Sequence, residues 1–134
     1  MKRSASLLKL SREHHVALGI ALHIDRAADP AARALLLEAF PRRFRDELDP
    51  HFREEEDELL PRLAAAGLAE LVGRTLDEHR RMRALASRVE AGDWPALQEL
   101  GDLLRAHVRF EERELFEAAE RVLAAAGPEN PAGG

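Results

Sequence analysis

The sequence carries one histidine–glutamate pattern twice. The ten residues 51–60, HFREEEDELL, align with residues 107–116, HVRFEERELF, and six of the ten positions are identical. In each copy a histidine is followed four residues later by a glutamate: His51 with Glu55, and His107 with Glu111. Imidazole and carboxylate groups together suit iron, manganese or zinc, so the repeat indicates a metal site.

The spacing of these residues decides which face of a helix they occupy. In the second copy, His107 and Glu111 stand between Leu104 and Leu115, and each step along this series is three or four positions. Such steps keep side chains on one helical face, so the histidine and the glutamate interrupt an apolar stripe that faces the core. Residues 44–59 repeat the arrangement in the first copy.

Two further histidines fit the same scheme. The pair Glu13-His14 is echoed by Glu78-His79, and both histidines share a face with apolar residues. Measured from the predicted turns at about 1.5 Å per residue, the histidines at positions 51, 79 and 107 lie at nearly the same depth of a bundle. Burying these groups without partners would cost several kcal/mol, whereas a cation satisfies them all. We therefore expect a buried metal site in which one glutamate from each half bridges two ions, built from His14, His51, Glu55, His79, His107 and Glu111.

Some neighbouring residues leave alternatives open. His15 shares a face with apolar residues of its own and is an alternative to His14 as a ligand. His23 is expected to be a partly exposed polar residue. Glu13 and Glu78, each directly before a candidate ligand, are expected to be solvated acids.

Four predicted helices position these groups. The composition is rich in Ala, Leu, Glu and Arg and poor in β-branched residues, which favours helices over strands. The first helix is expected from an N-cap at Ser11 to a stop at Asp29-Pro30, and the fourth from a cap at Asp93 to residue 126. The second covers residues 35–66, where three prolines predict kinks or a broken start (Pro41, Pro50 and Pro61), and the third covers residues 68–91. Short connections then predict an all-α, up-down-up-down four-helix bundle with a metal site in its core.

The composition excludes several kinds of site and partner. The 134 residues include no cysteine and no tyrosine, which removes disulfides, thiolate ligands and a tyrosine ligand. The net charge of −5 gives no basic surface for nucleic acid, and no apolar run is long enough for a membrane span. We find no signal peptide and expect a cytoplasmic protein. The expected organisation is an N-terminal arm at 1–10, the bundle at 11–126 and a disordered tail at 127–134.

At these residues the sequence resembles the hemerythrin-like family, also called the HHE cation-binding domain. The resemblance covers about residues 11–125 and rests on Glu13-His14, on His51 with Glu55, on His79, and on His107 with either Glu111 or Glu112. We favour Glu111 because it mirrors Glu55 in the repeat. Where the family typically has a second histidine on the third helix, this chain has Arg83. The resemblance implies seven ligands, of which six are matched, so one position is vacant or water-filled, or the site holds a single ion. Arg83 is expected to pair with a glutamate such as Glu112.

The resemblance also implies a function. Iron, as two non-haem ions, is the expected cofactor, with zinc or manganese as alternatives. The expected partner is a small molecule such as O2, NO or peroxide, bound for carriage, storage or sensing. Two alternatives are a diiron enzyme that acts on peroxide or O2 through the vacancy near Arg83, and a regulatory module whose fold depends on metal. No particular protein partner is indicated.

Overall fold

The structure is a computed structural model that describes residues 5–125, which fold into four long helices joined by short turns. Helix α1 is Ala5–Arg26 and helix α3 is Ala69–Glu90. Helix α2 combines α-helical segments with two π-helical turns, in the order Pro30–Arg43, Phe44–Leu48 (π), Asp49–Glu54, Glu55–Leu59 (π) and Leu60–Ala65. Helix α4 likewise consists of Trp94–Phe110, Glu111–Leu115 (π) and Phe116–Ala125. Residues 5–125 contain no strand, and the predicted all-α four-helix bundle is confirmed.

Helix α1 begins earlier than the sequence predicted. It starts at Ala5 rather than Ser11, because Leu7 and Leu10 are 0% and 3% exposed and extend its apolar face. Residues 1–10 were predicted to form an N-terminal arm, but residues 5–10 belong to this helix. Ser11 is therefore not an N-cap, and its hydroxyl donates a hydrogen bond of 2.7 Å to Glu112.

The connection between α1 and α2 also differs from the prediction. Asp29-Pro30 was expected to end the first helix, yet α1 ends at Arg26 and Pro30 already opens the next helix. The Asp29 carboxylate accepts a hydrogen bond of 2.8 Å from the backbone N–H of Ala32, which makes Asp29 an N-cap. Proline at the first helical position costs no hydrogen bond, so α2 starts five residues before position 35.

The prolines of α2 distort the helix without ending it. Pro50 and Pro61 each lie two residues after a π-helical turn, in which backbone N–H groups bond five residues back: that of Asp49 to Phe44, and that of Leu60 to Glu55. A π turn widens the helix at the point where a proline ring would otherwise clash with the preceding turn. The predicted irregularity is therefore present, whereas Pro41 lies inside a regular α-helical segment.

The remaining helix ends agree with the sequence to within two residues. Gly67 and Gly92 have φ angles of 90° and 88°, a conformation that glycine adopts without strain, and they mark the turns after α2 and α3. Asp93 caps α4 by accepting a hydrogen bond of 3.0 Å from the backbone N–H of Ala96. The predicted tail at 127–134 lies outside the described residues.

Two apolar clusters fill the bundle on either side of the candidate ligands. The smaller cluster includes Leu7, Leu10 and Leu63, and the larger cluster includes Ala17, Met82 and Leu104. In α1, His14 lies between Leu10 of the smaller cluster and Ala17 of the larger cluster. In α3, His79 is followed by Met82 of the larger cluster. The polar groups thus form a layer between two apolar layers, and α4 packs against both α1 and α3 to hold that layer in place. Within residues 5–125, no helix has the length and apolar character needed to cross a membrane.

Candidate metal centre

The six predicted ligands lie together in the middle of the bundle. All are buried, with exposed fractions from 0% to 7%: His14, His51, Glu55, His79, His107 and Glu111. Each helix contributes one histidine, and α2 and α4 each add a glutamate one helical turn later. The helical spacing thus places every one of them on the inner face.

Both glutamates are shared between two groups of four residues. The first group contains His14 and His51, the second contains His79 and His107, and Glu55 and Glu111 belong to both. Within each group, one ligand atom from every residue lies within 4.8 Å of the others. Each group therefore offers two imidazole nitrogens and two carboxylate oxygens around one point.

Each glutamate directs one oxygen to each group. In Glu111, Oε1 lies 2.7 Å from His14 Nε2, and Oε2 lies 3.1 Å from His107 Nε2. The two oxygens of Glu55 lie 3.3 Å and 3.0 Å from the Nε2 atoms of the α2 and α3 histidines. Carboxylates placed in this way can bridge two cations in the core of a helical bundle.

A second carboxylate contacts the outer nitrogen, Nδ1, of every histidine in the cluster. The Nδ1–oxygen distances are 2.6–2.8 Å and pair His14 with Glu112, His51 with Glu13, His79 with Glu56, and His107 with Glu78. Such an acceptor favours a proton on Nδ1 and directs Nε2 toward the centre, where it can bind a metal once it is deprotonated. Each carboxylate comes from the preceding helix, α1 to α2, α2 to α3, α3 to α4 and α4 to α1. We call these four acids the carboxylate ring.

The carboxylate ring was not predicted from the sequence. Glu13 and Glu78 were expected to be solvated, but both bond a histidine, and Glu78 is only 7% exposed. The signal was present in the repeat, because Glu56 and Glu112 occupy one of its identical positions and the Glu-His echo supplies the other two acids. What the pattern lacked was the identity of the neighbouring helix that each acid faces.

The π turns of α2 and α4 begin at the two shared glutamates. Glu55 is the first residue of one turn and Glu111 is the first residue of the other. Each is followed by an acid of the carboxylate ring, so that consecutive glutamates contact both nitrogens of one histidine. Glu55 and Glu56 hold His79, and the corresponding pair in α4 holds the histidine of α1. Single π turns are frequent at functional sites, and here they direct two adjacent side chains to one ring.

The inward-facing atoms of the cluster fit a cation. Among the described residues, six of these buried atoms have no hydrogen-bond partner: Nε2 of His51, His79 and His107, both carboxylate oxygens of Glu55, and Oε2 of Glu111. Leaving such groups buried and unsatisfied is costly, and all six atoms lie within 3.3 Å of another unsatisfied atom without forming a hydrogen bond. Convergence of nitrogen and oxygen donors on two points is the arrangement that metal coordination requires.

The shared glutamates also shift the pKa values of the histidines. Burial alone lowers the pKa of His51, but the nearby charge of Glu55, together with Glu111, outweighs burial and raises it to about 11. Burial of His107 is likewise outweighed, chiefly by Glu111, and its pKa rises to about 10. In the opposite sense, burial would raise the pKa of Glu111, but the histidine charges hold it well below its usual range. Without a cation, His51 and His107 therefore hold protons at neutral pH.

Comparison with known families agrees with this geometry. Residues 7–119, most of the 134-residue chain, match the Hemerythrin HHE cation binding domain. The chain belongs to the hemerythrin HHE cation-binding domain family. Searches of curated proteins and of solved structures gave no match. The resemblance noted in the sequence is thus confirmed, and the buried histidine–glutamate cluster gives this hemerythrin domain a group that can bind metal.

The structure distinguishes the alternatives that the sequence left open. His14 is buried in the first group, whereas its neighbour His15 is exposed, as is His23. Glu111 is 0% exposed and belongs to both groups. Glu112 instead contacts the outer nitrogen of His14. In this hemerythrin domain, the cluster therefore contains His14 of α1 and Glu111 of α4, the two residues that the sequence analysis favoured over His15 and Glu112.

Arg83 pairs with a glutamate, as predicted, but that glutamate is Glu56 and not the example named, Glu112. Its guanidinium group bonds to Glu56 and Asp49 of α2 rather than to Glu112 of α4. Glu112 faces α1, where it accepts hydrogen bonds from Ser11 and His14. The sequence does not say which neighbouring helix the flank of α3 faces, so spacing alone could not decide between Glu56 and Glu112 as the partner of Arg83.

A cavity of about 280 Å³ leads into the cluster from the side of the first group. It lies between α1, α2 and α4, and it is lined in part by His14, His51 and His107. Apolar side chains such as Phe52 and Leu104 form its inner wall, and charged residues line other parts of it. Arg83, beside which the sequence had placed a vacancy, is not among the residues that line this cavity.

Proposed function

We propose that this hemerythrin domain binds two metal ions, in the first place iron, as a non-haem dinuclear centre. His14 and His51 are terminal ligands of one ion, and His79 and His107 of the other, with Glu55 and Glu111 bridging. The observation that carries this proposal is the set of inward-facing atoms without hydrogen-bond partners, arranged in two groups that share both glutamates. Zinc or manganese would suit the same donors.

We further propose that the centre binds O2 or a related small molecule such as NO or peroxide, for carriage, storage or sensing. An iron pair supplies one-electron and two-electron redox chemistry and open coordination positions. The cavity gives a small molecule access to the first group, and its apolar inner wall limits the water that reaches the ions.

The protein's own part is to present oriented imidazoles, which give up their Nε2 protons when a metal binds. The carboxylate ring accepts a hydrogen bond at each Nδ1, so that each Nε2 points inward. Phe116 stacks on the ring of His14, with centroids 5.2 Å apart and planes within 8°, and Phe52 stacks on His79 with centroids 4.2 Å apart. These contacts fix the direction of the ligands before a metal arrives.

Elemental analysis and a visible–ultraviolet spectrum of protein expressed with added iron and purified in air test the proposal. We expect two irons per chain and near-ultraviolet charge-transfer bands that change on adding azide. His51→Ala should lower the iron content, while the control His15→Ala, at an exposed neighbouring position, should retain it. One zinc ion, or no metal in a folded protein, would overturn the diiron function.

Peroxide turnover is a second candidate function, because the cavity of about 280 Å³ is lined in part by His14, His51 and His107 and has room for a small substrate beside them. Ala17 lines the cavity, so Ala17→Leu should narrow it. If the iron-loaded protein consumes peroxide catalytically, this variant should consume it more slowly without losing iron. Stoichiometric reaction that stops after one equivalent would contradict an enzymatic function.

A further inference from the structure

Arg83 lies one helical turn after His79 on α3 and makes three hydrogen bonds to α2. Nη1 and Nη2 donate to the two carboxylate oxygens of Glu56, at 2.7 Å and 3.1 Å. Nε donates to Oδ1 of Asp49 at 2.7 Å. The guanidinium group is one-third exposed, whereas the acids are 15–20% exposed, so the contact is partly shielded from water.

The oxygen of Glu56 that meets Arg83 also meets His79. Oε2 of Glu56 accepts from Arg83 Nη1 and from His79 Nδ1, each at 2.7 Å. The guanidinium carbon also lies 5.8 Å from the centroid of the Phe52 ring, which stacks on His79 with an interplanar angle of 16°. Arg83 therefore contacts both side chains that orient the His79 ring. Glu56 bonds the edge of that ring, and Phe52 stacks on its face.

We propose that Arg83 is a positioning residue for His79, which it directs toward the second metal position by holding Glu56 in place. This inference rests on the proposed dinuclear function. With Glu56 held by two bonds, Nδ1 of His79 has one fixed acceptor, and Nε2 stays 3.0 Å from Oε1 of Glu55. A residue that cannot ligate thus supports a ligand from outside the coordination sphere.

The geometry of the contact calls for arginine in particular. A planar guanidinium fork matches both oxygens of a carboxylate and has a further N–H for a second acid. A lysine has a single charged nitrogen and cannot reproduce this three-bond contact. The other cations beside the carboxylate ring make simpler contacts: Arg74 donates one hydrogen bond to Glu78, and Lys9 lies 3.3 Å from Glu13.

Zinc binding to the metal-free protein tests this role without relying on redox activity. A competition titration with a chelator should resolve two zinc ions per wild-type chain. In Arg83→Gln, we expect one of the two affinities to fall about 10–100-fold, as for other residues that orient histidine ligands. Arg83→Lys should not restore it. The control Arg80→Gln removes an exposed arginine of the same helix, paired with Asp77, and should leave both affinities unchanged.

Nuclear magnetic resonance of the zinc-loaded proteins locates the effect. The Nδ1 proton of His79 should be protected from exchange in wild type and in Arg80→Gln, and should exchange faster in Arg83→Gln. If Arg83→Gln keeps both zinc affinities and this protection, the positioning role is overturned. Wild type that binds fewer than two zinc ions would instead contradict the dinuclear function itself.

A double-mutant cycle covers the case in which Arg83→Gln folds poorly. Glu56→Gln removes the intermediate carboxylate directly, so it should weaken the same zinc ion, and adding Arg83→Lys to it should cause little further loss. Additive losses in the double variant would show that Arg83 does not act through Glu56 and would overturn the proposal. Circular dichroism of each variant establishes that the helical fold is retained.

Discussion

Glu55 carries one negative charge that two groups of histidines share. It is 0% exposed, and neither of its oxygens has a hydrogen-bond partner within the described structure. We predict that Glu55→Gln lowers the metal content below two ions per chain. It should also destabilise the metal-free protein by about 3–5 kcal/mol, because the protonated His51 loses a buried partner. Metal analysis and urea denaturation measure the two effects.

Glu58 provides the matched control for this prediction. It belongs to the same π turn but is exposed. Glu58→Gln should therefore retain both metal ions and change the free energy of unfolding by no more than about 0.5 kcal/mol. Equal metal loss in both variants would indicate that the negative charge of the segment matters, rather than the position of Glu55.

The histidine pKa values predict how pH affects the metal-free protein. The folded-state values of about 11 for His51 and about 10 for His107 lie above the usual 6.5. The folded form therefore binds more protons than the unfolded form between these values. This contribution to stability is complete below pH 6.5 and is lost as the pH rises toward 10–11. Thermal unfolding in the presence of a chelator should show a falling midpoint over this range.

Metal binding should respond to pH in the opposite direction. A ligating imidazole must give up its Nε2 proton, so metal and protons compete. At pH 8, zinc binding to the metal-free protein should release about two protons per chain, from His51 and His107, and a dye indicator can count them. Acidification should displace the metal below about pH 6. Release of no protons, or full retention of metal at pH 5, would contradict this prediction.

The buried histidine–glutamate cluster could be predicted from the sequence, but the residues that support it could not. A spacing of three and four residues fixes the face of a helix, which was enough to place His107 and Glu111 in the core. Glu13 and Glu56 lie at the flanks of their helices, where the sequence does not reveal which neighbour each acid meets. The glutamate that pairs with Arg83 was misidentified for the same reason, since it depends on how α2 and α3 pack.

At the scale of the helix, the π turns connect backbone geometry to the site. The turn in α2 is followed by Pro61, whereas the matching turn in α4 is followed by Glu117. Proline alone therefore does not account for the two turns. We predict that Pro61→Ala retains two metal ions per chain and changes the free energy of unfolding by no more than about 1 kcal/mol. Loss of metal in this variant would show that the proline imposes the turn and the position of Glu55.

Helix boundaries were predictable where a local signal decides them. Gly92 and Asp93 mark the turn before α4 because a positive φ and a side-chain cap depend on those residues alone. The start of α1 was not predictable in this way, since Leu7 and Leu10 acquire a role only when the smaller cluster packs against them. Pro30 was ambiguous because a proline serves equally well to stop one helix and to begin the next.

For the whole molecule, the layer of candidate metal ligands lies between two apolar clusters that contain none of these residues. We predict that metal removal lowers the unfolding temperature but leaves a helical bundle, since both clusters remain. Ions present at a thousand times their dissociation constant contribute about 4 kcal/mol per site to stability. Calorimetry and circular dichroism with and without a chelator measure both effects, and an unchanged unfolding temperature would contradict the prediction.

The carboxylate ring has a consequence for how such a chain could arise. Two of its contacts cross between the halves of the protein, since Glu56 reaches His79 and Glu112 reaches His14. The other two lie within a half, and each half presents the same groups in the same order. Two copies of one half, related by a twofold axis, would make all four contacts. The single chain therefore has the geometry of a fused homodimer, which gene duplication followed by tandem fusion would produce, and an isolated half would supply three of the four residues of one group and would need a second copy to complete it.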